Sequence, residues 1–342
     1  MLKNIDNSHI LQNESLNKCF KSANLRDINE NCNILSTEFY LDSFNYFPIT
    51  NNNETFVNLF KREDDNSINH FYTENFYRNF TDKINNFKLI KDCVVLGSSP
   101  SDNYFSNLIH FLPRIFFIND KKINLIIHRN LSNKFRKFIQ TISIFRGINI
   151  SFTFLDDDFY SFNNCEIPQF IPLIQSISIL RETLLPINKV SKNRKIYVTR
   201  EDSTYRRIIN EADIIPVLRS KGYKVINPQL YSISEQIEIF AQADTVVAPH
   251  GSNLTNIVFC KPGTEIYEIG PEFKYDYEKS FENRYKTIAE INKLKYFRFL
   301  SDTVTVDEHS EIAKKYINNK ILESSNYYKN LIFKVSDINK IQ

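Results

Sequence analysis

Residues 243–270 read ADTVVAPHGSNLTNIVFCKPGTEIYEIG, and the order of signals in this stretch decides the fold. Thr245-Val246-Val247-Ala248 is a short β-branched run of the kind that fills a buried parallel strand. Pro249-His250-Gly251 breaks it, because proline offers no ladder donor and glycine admits backbone angles that other residues avoid. Ser252 or Asn253 can then cap a short helix, SNLTNIVFC. Lys261-Pro262-Gly263 stops that helix, and Glu265-Ile266-Tyr267-Glu268-Ile269 alternates as the next strand. A glycine-opened helix N-terminus beyond the C-terminal end of a parallel strand is a ready anion site. Three of the six glycines, Gly251, Gly263 and Gly270, fall here. An ordinary β–α–β unit with economical turns would look the same locally, so function has to be argued from the surroundings.

Immediately upstream, Ser232-Ile233-Ser234-Glu235 fits a capping box and predicts a helix ending near Ala243. Before it come a strand at Lys224–Asn227, a helix over Glu211–Ser220 stopped by Gly222, and a strand at Lys195–Thr199. Downstream, a helix lies within 275–292, a strand follows at Tyr296–Leu300, and helices run to the C-terminus. A second alternating region begins at the strand Cys93–Leu96 and its turn, Gly97-Ser98-Ser99-Pro100. Asp102 or Asn103 can cap a helix running toward Phe117, with Leu108, Phe111, Leu112 and Ile115 as its apolar stripe and Pro113 ending or kinking it. A strand at Asn124–Ile127, a helix near 131–145, Gly147 as its stop and a strand at Ile148–Leu155 complete the region. Residues 156–192 read as irregular, with LLPINKVSKNRK (184–195) as a crossing between domains. The first 90 residues mix Asn-rich stretches with Phe and Tyr, and read as helical or irregular structure packed on the core. The prediction is an α/β protein with two Rossmann-like domains, at 91–190 and 191–305. The segment 1–90 packs on the first, and 306–342 forms C-terminal helices.

Composition narrows the function. A chain of 342 residues suits two domains, and its 42% hydrophobic and 24% charged residues are those of a soluble globular protein. The formal net charge of +3, with dispersed Lys and Arg, argues against nucleic acid as a partner but leaves a weak attraction to anionic lipid or phosphate ligands. No apolar run approaches the roughly twenty residues of a membrane span, and the N-terminus lacks the apolar core of a secretory signal. Five cysteines at 19, 32, 93, 165 and 260 form no CxxC or CxxH pair, which argues against a disulfide framework or a structural zinc site. A cytoplasmic protein is expected, with room for peripheral association at the inner face of the membrane.

Four groups of residues could carry chemistry. Thr199-Arg200 follows a strand at the sheet edge where ligands bind, and guanidinium forks suit diphosphate oxygens. Arg206-Arg207 follows, with Glu201 and Asp202 as partners if this is only a solvated basic face; Asn210-Glu211 can orient an arginine or cap the helix. His250 can donate to a phosphate or sugar hydroxyl, or pin its turn. Glu268 can accept from ribose hydroxyls, or be structural. In the first domain, Asp102 and Asn103 stand at one end of a helix, and His110, seven residues after Asn103 and about two turns on, can share a face with that end. There is no GxGxxG, Walker, GxSxG or HExxH motif. Asp156-Asp157-Asp158 contains a DxD pattern, but in a polar loop of the wrong domain, so no metal site is expected.

The run TR…RRIINE, then SEQIEIF, then APHGSNLTNIVFCKPGTEIYEI, over about 196–270, resembles the C-terminal half of the family 61 glycosyltransferases, which include bacterial capsule and lipopolysaccharide enzymes. Asn103-Tyr104 and Leu112-Pro113-Arg114 resemble that family's upstream segment. Ser106 stands where the family commonly has His, His110 where an acidic residue is common, and Ser252 replaces a small Ala. The resemblance implies a GT-B fold, two Rossmann-like domains facing across a cleft, with inversion at the anomeric carbon and neither metal nor cofactor. The donor, a nucleotide sugar with UDP favoured, would be held by Arg200, Arg207, His250, Gly251, Ser252, Asn253 and Glu268. A glycan acceptor would meet a base in the first domain, His110 or Asp102. A sugar-nucleotide epimerase of the same architecture, or a non-catalytic nucleotide- or glycan-binding subunit, are the alternatives.

Overall fold

The computed structural model describes residues 3–5, 20–25, 30–42, 47–50, 54–56, 87–96, 103–118, 120–185, 194–274, 276–305 and 326–341. The chain forms two compact units, Met1–Glu182 and Thr183–Gln342.

In the first unit the strands are β1 (Lys3–Ile5), β2 (Phe20–Leu25), β3 (Glu30–Asp42), β4 (Phe47–Thr50), β5 (Glu54–Phe56), β6 (Lys88–Val95), β7 (Lys122–His128), β8 (Asn149–Leu155) and β9 (Phe159–Pro168). Helix α1 (Asn133–Phe145) joins β7 to β8, and α2 (Leu173–Leu184) follows β9. The main sheet runs β2-β3-β9-β6-β7-β8, with β4 also on β3, and β1 pairs separately with β5. The β9-β6-β7-β8 part is parallel, while β2, β3 and β4 add an antiparallel flank. Helix α1 turns Phe135, Phe138, Ile139 and Ile142 inward at helical spacing, and the Ser132 hydroxyl caps it by accepting from the Phe135 amide at 3.3 Å.

Two expectations need correcting here. Residues 156–192 are regular where described, and β9 is a ten-residue strand inside the sheet. Its buried positions run Tyr160 and Phe162, then Cys165 and Ile167, so the alternation changes phase midway. The cause is Asn164, a left-handed residue (φ 52°) whose side chain bonds to that of Asp92 (φ 51°) across the pair, an irregularity matched in both strands. The described part of the first 90 residues is strand rather than helix or coil, and Leu35, Phe39 and Leu41 of β3 join Val95, Ile126, Phe162 and Ile167 in one core.

The second unit contains β10 (Arg194–Val198), α3 (Glu211–Ser220), β11 (Tyr223–Ile226), α4 (Ile233–Ala241), β12 (Ala243–Pro249), a 3₁₀ helix over Ser252–Phe259, β13 (Glu265–Gly270), α5 (Asp276–Ile291) and β14 (Lys295–Leu300). A short antiparallel pair, β15 (Asp302–Val304) and β16 (Asn330–Ile332), follows. The five-stranded sheet has the order β11-β10-β12-β13-β14 and is parallel throughout. Sequence and structure agree closely in this unit. Ser232 and Glu235 form the reciprocal capping box, and Gly222 and Gly263 take left-handed angles of 86° and 85° at their turns. Residues 326–341 differ from the helices expected there: they hold β16 and 3₁₀ turns, and bury Leu331, Phe333, Ile338 and Ile341 in the core beside Tyr197 and Val247.

Candidate active site

Numbered within the unit, the sheet order is 2-1-3-4-5. The chain leaves β10 toward one side and later crosses to build β12 on the other, so the switch point lies between the C-terminal ends of those two strands. Thr199-Arg200 leaves one of these ends and His250-Gly251 the other. The two loops touch. Arg200, 7% exposed, lays its guanidinium on Gly251, where an added Cβ would overlap Nη1 and Cζ and fall 3.0 Å from Nε. Gly251 has an extended backbone (φ 163°, ψ 170°), so closeness to Arg200 rather than backbone angle is what requires glycine. The Arg200 Nη2 donates weakly to the Tyr205 carbonyl at 3.4 Å. Ser252 and Asn253, both half-buried, open the 3₁₀ helix, and the first amides of a helix have no partner within it.

His250 is almost wholly buried and pinned from several directions. Its backbone amide donates to the Ile269 carbonyl at 2.7 Å, and its ring meets Phe273 and Tyr285 edge-on at 5.2 and 5.1 Å. Nδ1 lies 2.6 Å from Glu268 Oε1, and the Tyr296 hydroxyl donates to Glu268 Oε2, also at 2.6 Å. Arg298 stands 3.8 Å from Glu268, a Coulombic rather than a hydrogen-bonding approach; it pairs with Glu282 and donates to the Pro271 carbonyl at 2.7 Å. Burial brings the His250 pKa down from 6.5 to about 4, against the pull of Glu268 and with help from Arg206 and Arg298. Burial opposes the Glu268 charge, but His250, Tyr296 and Arg298 together hold its pKa below the ordinary value. The pair is therefore a neutral imidazole donating from Nδ1 to a carboxylate, which leaves Nε2 as an acceptor. So held, His250 shapes the turn, and the cationic side chain lying on that turn is Arg200. With both oxygens of Glu268 engaged and none of its surface exposed, that residue stands behind His250 instead of at a ribose.

A pH dependence follows from these shifts. Below pH 6.5 an unfolded chain protonates His250, while the folded one refuses the proton until about pH 4, so stability is lost across that window. The His250 share is about 3 kcal/mol at the rate of ~1.36 kcal/mol per pKa unit. Glu268 adds a further loss as pH falls through and below its ordinary 4.5. Thermal melts from pH 7 to pH 4 should show the decline beginning near 6.5, and His250→Gln should flatten its upper part; an unchanged slope would contradict the buried neutral imidazole.

The two adjacent arginines are sorted by one backbone angle. Arg206 is left-handed (φ 55°) and buried, with its Cζ 4.6 Å over the Tyr205 ring and its charge felt at His250. Arg207 is exposed. The sequence reading names Arg207 for the donor; the structure packs Arg206 inward, where its charge reaches His250, and leaves Arg207 exposed, and no signal in the bare dipeptide distinguishes their packing. Glu211 orients no arginine: it accepts from Thr199 Oγ1 at 2.8 and 2.9 Å and from the Tyr197 hydroxyl at 2.6 Å. Arg298 and Tyr296 were missed as well. Laying β14 beside β13 in parallel register would have found Arg298, which stands directly opposite Glu268.

In the first unit, Asn103 caps its helix as expected, accepting at Oδ1 from the amides of Phe105 (2.9 Å) and Ser106 (3.3 Å). The helix then widens into a π turn over Ser106–Phe111 and tightens into a 3₁₀ turn over Leu112–Phe117. His110, 4% exposed, meets the rings of Phe105 and Phe170 edge-on at 5.4 and 6.2 Å, the setting of a packed histidine. Arg114 is wholly buried: it donates to the carbonyls of Pro168 and Leu96 and sits 4.3 Å over the Phe170 ring, stapling the helix to strand ends. Asp102 lies outside the described residues. Each aspartate of 156–158 has a basic partner, Arg129 at 2.6 Å, His128 at 2.9 Å and Lys88 at 2.6 Å in turn. The acidic triplet thus meets side chains of its own unit, two of them cations.

A parallel α/β sheet of order 2-1-3-4-5, with Arg200 and a glycine turn at its switch point, is compatible with a Rossmann-like fold. The family model for glycosyltransferase 61 matches residues 59–267, more than half of the chain and all of this turn. The chain belongs to glycosyltransferase family 61 and is a glycosyltransferase. No curated protein matches it significantly.

Proposed function

We propose that this enzyme is an inverting, metal-independent glycosyltransferase of the GT-B type, moving a sugar from a nucleotide-sugar donor to a glycan acceptor in surface polysaccharide synthesis. The observation that carries the donor assignment is the Arg200 guanidinium lying on Gly251 at the switch point of the second unit. Breaking the sugar–phosphate bond puts negative charge on the leaving diphosphate. Arg200, Arg206 and the amides opening at Ser252 and Asn253 are preorganised to receive it, which is how such charge is stabilised without a divalent ion. UDP is the favoured nucleotide, and the inner face of the membrane the favoured place of work. Inversion needs a base on the acceptor side, in the first unit on this assignment. Of the two residues named for it, His110 is buried against the rings of Phe105 and Phe170, and Asp102 lies outside the described residues.

Calorimetric titration with UDP, GDP and dTDP, together with turnover in EDTA, tests this. Arg200→Ala and Arg206→Ala should each weaken the bound diphosphate by about 1–3 kcal/mol, the scale of charged hydrogen bonds. Arg207→Ala should do less, and lysine at 200 should rescue poorly because it lacks the planar fork. Unchanged affinity in both the 200 and 206 variants would remove the donor site from the switch point. Loss of turnover in EDTA with recovery on Mg²⁺ would overturn the metal-independent mechanism.

A further inference from the structure

The loop carrying Arg206 is fastened by more than its own neighbours in sequence. Its amides and carbonyls are paired with a segment more than a hundred residues downstream. The Arg206 amide donates to the Lys329 carbonyl at 2.9 Å, the Leu331 amide to the Arg207 carbonyl at 2.8 Å, and the Ile209 amide to the Leu331 carbonyl at 2.9 Å. The Arg207 amide donates to Asn330 Oδ1 at 3.1 Å. Ile208 and Leu331 form a parallel bridge, so the loop is in effect a short extra strand beside β16. Just beyond it, Asn210 Nδ2 donates to the Phe333 carbonyl at 2.9 Å and Oδ1 accepts from the Phe333 amide at 3.1 Å. Side chains continue the pattern. Tyr328 packs its ring 5.5 Å from Tyr205, the ring over which the Arg206 guanidinium lies.

We infer that residues 326–333 are a clasp that sets the donor-side arginine, with Asn330 and Tyr328 as positioning residues. This rests on the donor assignment of Arg200 and Arg206 made above. The physical reason is the left-handed backbone of Arg206. Such a conformation is costly for a side chain of this size and persists only where surrounding bonds fix it. Here two successive amides, of 206 and 207, are fixed by acceptors on the clasp, Lys329 O and Asn330 Oδ1. Released, the loop would relax to ordinary angles, and Arg206 would lose the inward position that its neighbour Arg207 does not share. Asn330 is itself buried, so its side-chain oxygen is committed to this task rather than to solvent. The clasp lies beyond the residues matched by the family model, which ends at Tyr267.

The test uses the full chain, with UDP, GDP and dTDP as probes, in wild type and in Asn330→Ala, Asn330→Asp, Tyr328→Ala, Tyr328→Phe and Arg200→Ala. Asn330→Ala and Tyr328→Ala should weaken whichever diphosphate the wild type binds by roughly ten-fold or more. Asn330→Asp keeps an acceptor oxygen and Tyr328→Phe keeps the ring, so each should recover most of that loss at matched Tm. A packing role alone would lower Tm without this split between the alanine and conservative variants. Wild-type affinity in both alanine variants, with binding lost in Arg200→Ala, overturns the clasp and leaves the donor site standing. Weakened binding in the alanine variants with Arg200→Ala unaffected keeps the clasp and moves the diphosphate off Arg200. No diphosphate bound by the wild type overturns both.

Discussion

Gly251→Ala is expected to cost roughly 10²-fold in kcat/KM while the protein remains folded, because misplacing a catalytic group by about an ångström has effects of that order. The new methyl group would occupy the space now filled by the Arg200 guanidinium. Since the colliding atoms are the far end of a flexible side chain, the arginine can swing away and the backbone need not move. The extended angles of Gly251 are open to alanine, so no backbone strain is added. Stability therefore changes little and the functional loss is large. A double variant sharpens the test: if Gly251 acts only by seating Arg200, then Gly251→Ala combined with Arg200→Ala should be no worse than Arg200→Ala alone. Near-wild-type turnover in Gly251→Ala, or full additivity in the double variant, would sink this account of the turn.

Glu268→Ala should produce the largest loss of stability of any single change discussed. Glu268 is fully buried and accepts from His250 and Tyr296, with Arg298 as its nearby countercharge. Removing the carboxylate leaves two donors without their acceptor and a cation without one of its counterions. Breaking a buried charged network from one side typically costs about 3–5 kcal/mol. For a unit of this size that corresponds to a drop of roughly 10 °C in Tm. Glu268→Gln keeps the shape and one acceptor oxygen but not the charge, and should fall between. Differential scanning calorimetry reads both; a Tm within about 2 °C of wild type for the alanine variant would mean the network is not stabilising. Activity should fall too, because His250 holds the turn on which Arg200 rests.

The second unit was legible because its signals are local. The capping box at Ser232–Glu235, the β-branched run at 245–248 and the stops at Gly222 and Gly263 all act within a few residues, and all are realised. The first unit hid β9 because the left-handed residue at Asn164 changes the phase of its alternation, so Phe162 and Cys165 both point inward three residues apart, which breaks the period of two that marks a strand. The π turn at Ser106–Phe111 is likewise silent in the sequence, where an ordinary helix was read. In the candidate site, Arg200, His250 and Gly251 could be placed because each sits at a strand end. Glu268 was found but given to a ribose, since only the fold reveals that its oxygens are already taken. Arg206 could not be told from Arg207, because the contacts that turn one inward come from residues more than a hundred positions away.

That long separation has a consequence for the birth of the enzyme. Asn330 lies 123 positions after the amide it receives, so the arginine loop stays incomplete on the ribosome until that much more chain has been made. At ordinary elongation speeds the wait is roughly 6–25 s. During that interval a nascent chain can already carry Gly251 and the parallel strands around it, yet lack the seat for Arg206. On the proposed donor assignment, such a chain offers a nucleotide Arg200 but not yet a seated Arg206.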